Sequence, residues 1–202
     1  MHDLLIIRHG ESEWNLEGRW QGWHDAPLTE LGLAQARERA AALVDSGFAP
    51  KLVHSSDLGR ARQTAEIMGE ALGVPVKLDA GFRERSGGDW EAHTIPEIDE
   101  KWPGMREKWR RGELATPPGG ELDTDVIARF DAALASAIAA GTPTMVVTHG
   151  GALRLVATQA GVSITALTPN LGGYWFTLDG TTLTGAEPVE PLASATTLPA
   201  AE

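Results

Sequence analysis

Arg8 and His9 stand side by side where the apolar run Leu4–Ile7 ends. The pair suits attack on an anionic phosphoryl group. A guanidinium offers a fixed fork of donors that matches phosphate oxygens. A neutral imidazole nitrogen is a nucleophile. Gly10 lets the backbone turn tightly or approach a ligand. An isolated Arg-His-Gly is more often a buried, hydrogen-bonded core histidine, so the reading depends on the rest of the chain. Ser55-Ser56-Asp57-Leu58-Gly59-Arg60-Ala61-Arg62-Gln63-Thr64-Ala65 follows a second apolar stretch. Arg83-Glu84-Arg85-Ser86-Gly87-Gly88-Asp89-Trp90-Glu91 comes next, and Val146-Val147-Thr148-His149-Gly150-Gly151 ends a third stretch.

Strands and helices must bring these segments together. Leu4–Arg8, Lys51–Ser55 and Pro143–Thr148 read as strands, with Gly172–Leu178 a further one and Thr182–Leu183 beside it. Thr29 caps a helix to about Ser46, with Glu30 at its positive end and Gly47 as its stop. Ser56 or Asp57 caps a second helix to Leu72, ended by Gly73. Asp123–Ala140 is an alanine-rich helix stopped by Gly141, and another helix follows from Gly151. The alternation predicts a three-layer α/β sandwich with a largely parallel central sheet. His9, Arg60 and His149 then fall just beyond strand C-termini, the edge where open α/β sheets bind ligands. Residues 85–122, with Trp90, Trp102 and Trp109, read as a small cap of short helices and loops. Some of these tryptophans and of Trp14, Trp20 and Trp23 are expected to wall the pocket, the others to be core. The main domain spans 1–185. From Ala186 to Glu202, three prolines and no Lys or Arg predict a mobile or loosely docked tail.

Taken in order, the four segments resemble the histidine phosphatase superfamily, also called phosphoglycerate mutase-like. The matching features are Arg-His-Gly, Ser-Asp-x-x-Arg-Ala-x-Gln-Thr-Ala, a Glu before Gly-Asp-Trp-Glu, and His-Gly. The resemblance runs from about Leu4 to Leu155, and several motifs in the right order are specific where one is not. In this reading Arg8, Arg60 and His149 hold the three phosphoryl oxygens while His9 attacks in line. The resemblance implies a phosphohistidine at His9, with the Gly10 carbonyl fixing the ring so that Nε2 attacks. Neighbouring positive charge should keep His9 unprotonated. Glu84 matches the general acid that protonates the leaving alkoxide and then activates water. Asn15, Gln21, Gly22 and Gly150 match positions that help bind phosphate; Glu11 and Ser12 are weaker candidates. Asp57 fits a cap better than a catalyst, and Arg62, two residues after Arg60, faces elsewhere. His2, His24, His54 and His93 lack metal-ligand spacing. Two arginines supply the charge a metal supplies elsewhere, so no metal or cofactor is expected.

The family divides mainly into phosphatases and bisphosphoglycerate-dependent phosphoglycerate mutases. A short gap between Glu84 and His149, the Gly-Asp-Trp-Glu sequence and Gly150-Gly151-Ala152 resemble the phosphatases. Trp109-Arg110-Arg111 before Thr116-Pro117-Pro118 resembles the mutase segment whose paired arginines hold a carboxylate or second phosphate, and Arg85 also fits that use. Solvated helix charges are an equal reading for Arg110 and Arg111. A non-catalytic phospho-ligand binder on this fold would be expected to lose His9 or Glu84, and both are present.

Composition agrees. The 202 residues are 42% hydrophobic and 22% charged, ordinary for a soluble globular domain. A net charge of -11 argues against nucleic acid as a partner. It leaves attraction of an anionic substrate to a local Arg/His pocket. No apolar run approaches membrane-spanning length, and no signal-peptide pattern opens the chain, so the expectation is a cytoplasmic protein acting on a small phosphomonoester. The absence of cysteine excludes disulfides and thiol catalysis. The oligomeric state stays open, a homodimer included.

Overall fold

A computed structural model describes residues 4–162 and 168–194. Strand β1, Leu4–Arg8, is five buried residues in a row, the pattern of a strand covered on both faces. Helix α1, Glu13–Glu17, opens on a capping box between Ser12 and Asn15. Helix α2, Glu30–Asp45, begins at Thr29, whose hydroxyl accepts from the Gly32 N–H. Strand β2 is Val53–Ser55. Helix α3, Gly59–Leu72, ends on Gly73 in the left-handed region. Strand β3 is Val76–Leu78. Helices α4, Ile95–Lys101, and α5, Met105–Arg110, belong to the cap. Helix α6, Asp123–Ala139, leads to β4, Thr144–Thr148, and α7, Gly150–Gln159. Strands β5, Gly173–Asp179, and β6, Thr182–Pro188, follow.

The described strands form one sheet in the order β3-β2-β4-β1-β5-β6. Neighbours from β3 to β1 are parallel, whereas β5 runs antiparallel to both β1 and β6. The sheet is largely parallel, as expected, with β5 as the antiparallel strand that makes it mixed. A tight turn joins β5 to β6, and without a crossover the pair must be antiparallel. Alternation along the strands builds two cores. Leu5, Ile7, Met145 and Val147 meet α2 and α3 through Ala40, Leu43, Ala61, Ala65 and Met68. Leu4, Ile6, Val146 and Phe176 meet α6 and α7 through Val126, Phe130, Leu153 and Val156. This is the three-layer sandwich. A third cluster, Trp20, Trp90 and Ile98 with Trp102, Met105 and Trp109, holds the cap. Among the described residues no helix is long and apolar enough to cross a membrane.

Three local readings change. Strand β3 is absent from the sequence prediction because its three residues, half-buried or exposed, are too few to show a period. Neither Ser56 nor Asp57 is the N-cap of α3. Leu58 is, with no side-chain cap of its own. The Asp25 carboxylate, distant in sequence, accepts from the Gly59 N–H instead. Strand β6 extends to Pro188, Val189 and Leu192 are buried against the α2–α3 side, and the Glu190 carbonyl accepts from Arg39. The start of the expected tail is thus docked by its apolar residues; positions 195–202, like His2, lie outside the described residues.

Candidate active site

Strands β2, β4 and β1 are neighbours, and their C-terminal ends deliver the chemistry. Arg8 pairs in register with Thr148, so His9 and His149 leave the sheet side by side, their ring centroids 5.2 Å apart. Ser55 pairs with Val147, which brings Ser56 and the first turn of α3 to the same edge. Arg8, His9, Arg60 and His149 are each no more than 2% exposed, so their charges and dipoles act with little screening.

The tautomer of His9 follows from its partners. Its Nδ1 lies 2.7 Å from the Gly10 carbonyl, which only accepts, so Nδ1 carries the hydrogen and Nε2 keeps its lone pair. Arg60 Nε donates to that lone pair at 3.2 Å. The remaining arms of Arg60 donate to the Gly22 and His24 carbonyls at 2.9 Å, which fixes the guanidinium against the ring. Arg8 Nη1 donates to the Thr168 carbonyl at 2.8 Å. Burial, then the charges of Arg60 and Arg8, hold His9 well below the usual imidazole range, against the opposing Gly10 carbonyl.

Burial and then Arg60 also hold His149 well below the usual imidazole range. Its Nε2 lies 2.8 Å from Ser56 Oγ, and that hydroxyl already accepts from the Leu58 N–H at 3.2 Å. The hydroxyl keeps one hydrogen and a second lone pair, so it can meet either tautomer of the ring. His149 Nδ1 is buried and has no hydrogen-bond partner among the described residues; when Ser56 donates to Nε2, Nδ1 carries the ring hydrogen and is left to meet a ligand oxygen.

Glu84 occupies the far side of the same cleft. Its Oε1 accepts from the Arg85 and Ala152 N–H groups at 2.8 Å, and its Oε2 from the Gly151 N–H at 2.9 Å. The carboxyl thus sits on the positive end of α7. A Cβ at Gly151 would lie 2.6 Å from Glu84 Oε1, so glycine there makes the seat. The Glu84 carbonyl is held from behind by Trp23 Nε1 at 2.7 Å and Arg129 Nη2 at 2.9 Å. His9, Trp20, Gln21, Gly22, Arg60, Glu84, Arg85, Gly151 and Arg154 line a cleft of about 480 Å³.

Nucleophile, carboxyl and arginines share one cleft, and the whole sequence points the same way. The model of the histidine phosphatase superfamily (branch 1) matches residues 4–169. The chain belongs to that superfamily. It is 37% identical over 191 residues to glucosyl-3-phosphoglycerate phosphatase of Mycobacterium tuberculosis, covering 88% of this chain and 85% of that one. It is also 37% identical over 159 residues to the 2,3-bisphosphoglycerate-dependent phosphoglycerate mutase of Nitrobacter hamburgensis, covering 75% and 77%. A solved mycobacterial glucosyl-3-phosphoglycerate phosphatase in complex with VO3 superposes with a TM-score of 0.79 at 31% identity, over 93% of this chain and 97% of that one. The chain is a phosphomonoester-hydrolysing enzyme of the histidine phosphatase superfamily.

In this histidine phosphatase the other residues read from sequence divide. Gln21 and Gly22 line the cleft; Gln21 accepts from Ser12 Oγ at 2.9 Å. Gly150 starts α7 next to His149. Asn15 closes the α1 capping box and accepts from Asn170, outside the cleft lining. Glu11 binds the Thr29 hydroxyl at 2.8 Å. Arg62 faces solvent beside Glu66, and Asp57 takes Arg83, whose guanidinium holds that carboxyl below its usual range. Arg110 and Arg111 do not reach the cleft, which corrects the expectation for them. Trp109 turns inward against Trp20, Trp90 and Arg85, and the next two residues of so short a helix rotate outward. Arg111 pairs with Glu107 and Glu113 at the surface. Of the tryptophans, Trp20 walls the cleft, Trp23 holds Glu84, and Trp90 is fully buried. Ser56, Arg129 and Arg154 escaped the sequence reading. Only Arg154 left a signal, three residues after Gly151 on one helix face.

Proposed function

We propose that this protein hydrolyses phosphoglycerate-like phosphomonoesters through a phosphohistidine on His9. The observation that carries the reading is the Gly10-fixed ring of His9, its Nε2 lone pair facing a cleft whose opposite wall is Glu84. Arg8, Arg60 and the Nδ1–H of His149 would hold the phosphoryl oxygens and stabilise the charge that develops on them. As Arg60 Nε moves its hydrogen bond from Nε2 to a phosphoryl oxygen, His9 Nε2 attacks phosphorus and the ester P–O bond breaks. Glu84 gives its proton to the departing alkoxide. Oε2 is the oxygen suited to carry it, because Oε1 already accepts two hydrogen bonds and Oε2 one. Left as carboxylate on the α7 N-terminus, Glu84 takes a proton from water as water attacks phosphohistidine. The N–P bond breaks, phosphate leaves, and both residues return to their starting states. The positive charge comes from arginine, so the route needs no metal. A cytoplasmic setting, with small phosphorylated esters as substrates, is part of this proposal.

Phosphatase is favoured over mutase because Arg110 and Arg111, the feature resembling the mutases, stand outside the cleft. The mutase relative keeps the second reading in the test. Glu84→Gln should slow single-turnover phosphorylation by alkyl esters by roughly 100-fold or more, and by p-nitrophenyl phosphate far less, since an aryl leaving group needs little protonation. Equal losses would remove Glu84 as proton donor. Release of phosphate from 3-phosphoglycerate, not stimulated by 2,3-bisphosphoglycerate, is expected; isomerisation to 2-phosphoglycerate instead would make the protein a mutase.

A further inference from the structure

Helix α7 turns two residues of one face into the cleft, Gly151 and, three positions on, Arg154. Gly151 seats the Glu84 carboxyl. Arg154 has no part in the phosphoryl chemistry above. Its side chain is half-buried, yet it makes no hydrogen bond or ion pair with any described residue. The other arginines of the cleft are committed. Arg60 is spread over His9, Gly22 and His24. Arg85 binds Asp123 at 2.6 Å and stacks on Trp109 at 4.7 Å. A half-desolvated guanidinium with no ion-pair partner among the described residues, beside an open cleft, matches an anion that arrives with the ligand.

Its position says which part of the ligand that is. The phosphoryl group belongs at the strand ends, between His9, Arg8, Arg60 and His149. Glu84 meets the leaving oxygen, and Arg154 lies one helical turn beyond the Glu84 seat. Arg154 therefore faces the leaving group. Its single uncompensated charge matches one carboxylate better than a second phosphate. We propose that Arg154 recognises a carboxylate on the substrate's leaving group and so sets the preference for acidic esters. The assignment rests on the phosphatase reading above and adds the residue that selects the substrate class.

A matched pair of esters tests it. 3-Phosphoglycerate and glycerol 3-phosphate differ in carrying a carboxylate or a hydroxymethyl group. Arg154→Ala should raise KM for 3-phosphoglycerate roughly 10- to 100-fold, the worth of one charge-assisted hydrogen bond, and change glycerol 3-phosphate far less. Arg154→Lys should recover part of the loss, keeping the charge without the fork. Arg111→Ala, on the outer face, should leave both esters as in the wild type. Parallel changes for the two esters in Arg154→Ala, or a wild type with no preference for the acidic ester, would overturn the assignment and leave the phosphatase reading intact. If the wild type hydrolyses neither ester, the phosphatase reading falls and this one with it.

Discussion

At the scale of single residues, the site depends on two imidazoles kept neutral by the same causes and oriented by different partners. The Gly10 carbonyl, which only accepts, orients His9 so that its ring presents a lone pair, and the Ser56 hydroxyl orients His149. Burial is the first cause of both low proton affinities, with Arg60 next. Nitrogen-15 spectra of the free protein should show both rings still neutral as pH falls through about 6.5, the ordinary imidazole value. The unfolded chain takes up protons there and the folded chain does not, so stability should fall as pH drops below that value. Titration of either ring near its ordinary value would contradict this. His9, Arg60, Glu84 and His149 were legible because their residue types, order and motif context are local to the chain. Ser56 and Arg154 were not, because a serine beside a strand or an arginine on a helix has many ordinary uses. Arg110 and Arg111 were misplaced because a pair of adjacent arginines does not say which way a short helix turns.

At the scale of elements, the strand runs and helix caps were readable. β1 and β4 are unbroken buried runs around Leu4–Ile7 and Met145–Val147, and Thr29 caps α2 as its type predicts. What holds the elements in place at the site was not readable, because the partners lie far apart in the chain. Arg129 of α6 donates to the carbonyls of Gly81, Arg83 and Glu84 through Nη1 and Nη2, while Nε and Nη2 pair with the Glu121 carboxylate. Arg129 is a positioning residue for the segment that carries Glu84. Arg129→Met should destabilise the fold by roughly 1–3 kcal/mol through unsatisfied carbonyls and an unpaired Glu121. It should also lower kcat for alkyl esters more than for p-nitrophenyl phosphate, since it displaces the proton donor. Denaturant titration and the two kcat values check this. A loss of stability with equal kcat effects would reduce Arg129 to a structural clamp.

At the scale of the whole molecule, a net charge of -11 repels the anionic esters that the cleft is built to take. Attraction is local, from Arg8, Arg60 and Arg154 gathered around one cleft beside the tryptophan-held cap. The three-layer arrangement followed from the alternation of strands and helices in the sequence. The antiparallel β5–β6 edge did not, because a hydrophobic run does not encode its direction. Every layer converges on His9: α2 and α3 on one face, α6 and α7 on the other, and the cap above. The central claim is that this histidine becomes phosphorylated. EDTA-treated protein mixed with p-nitrophenyl phosphate and quenched in alkali, which preserves phosphohistidine, should carry one phosphoryl group, mapped by mass spectrometry to His9 and absent from His9→Ala. Phosphorylation elsewhere, or near wild-type turnover in a folded His9→Ala variant, would contradict it.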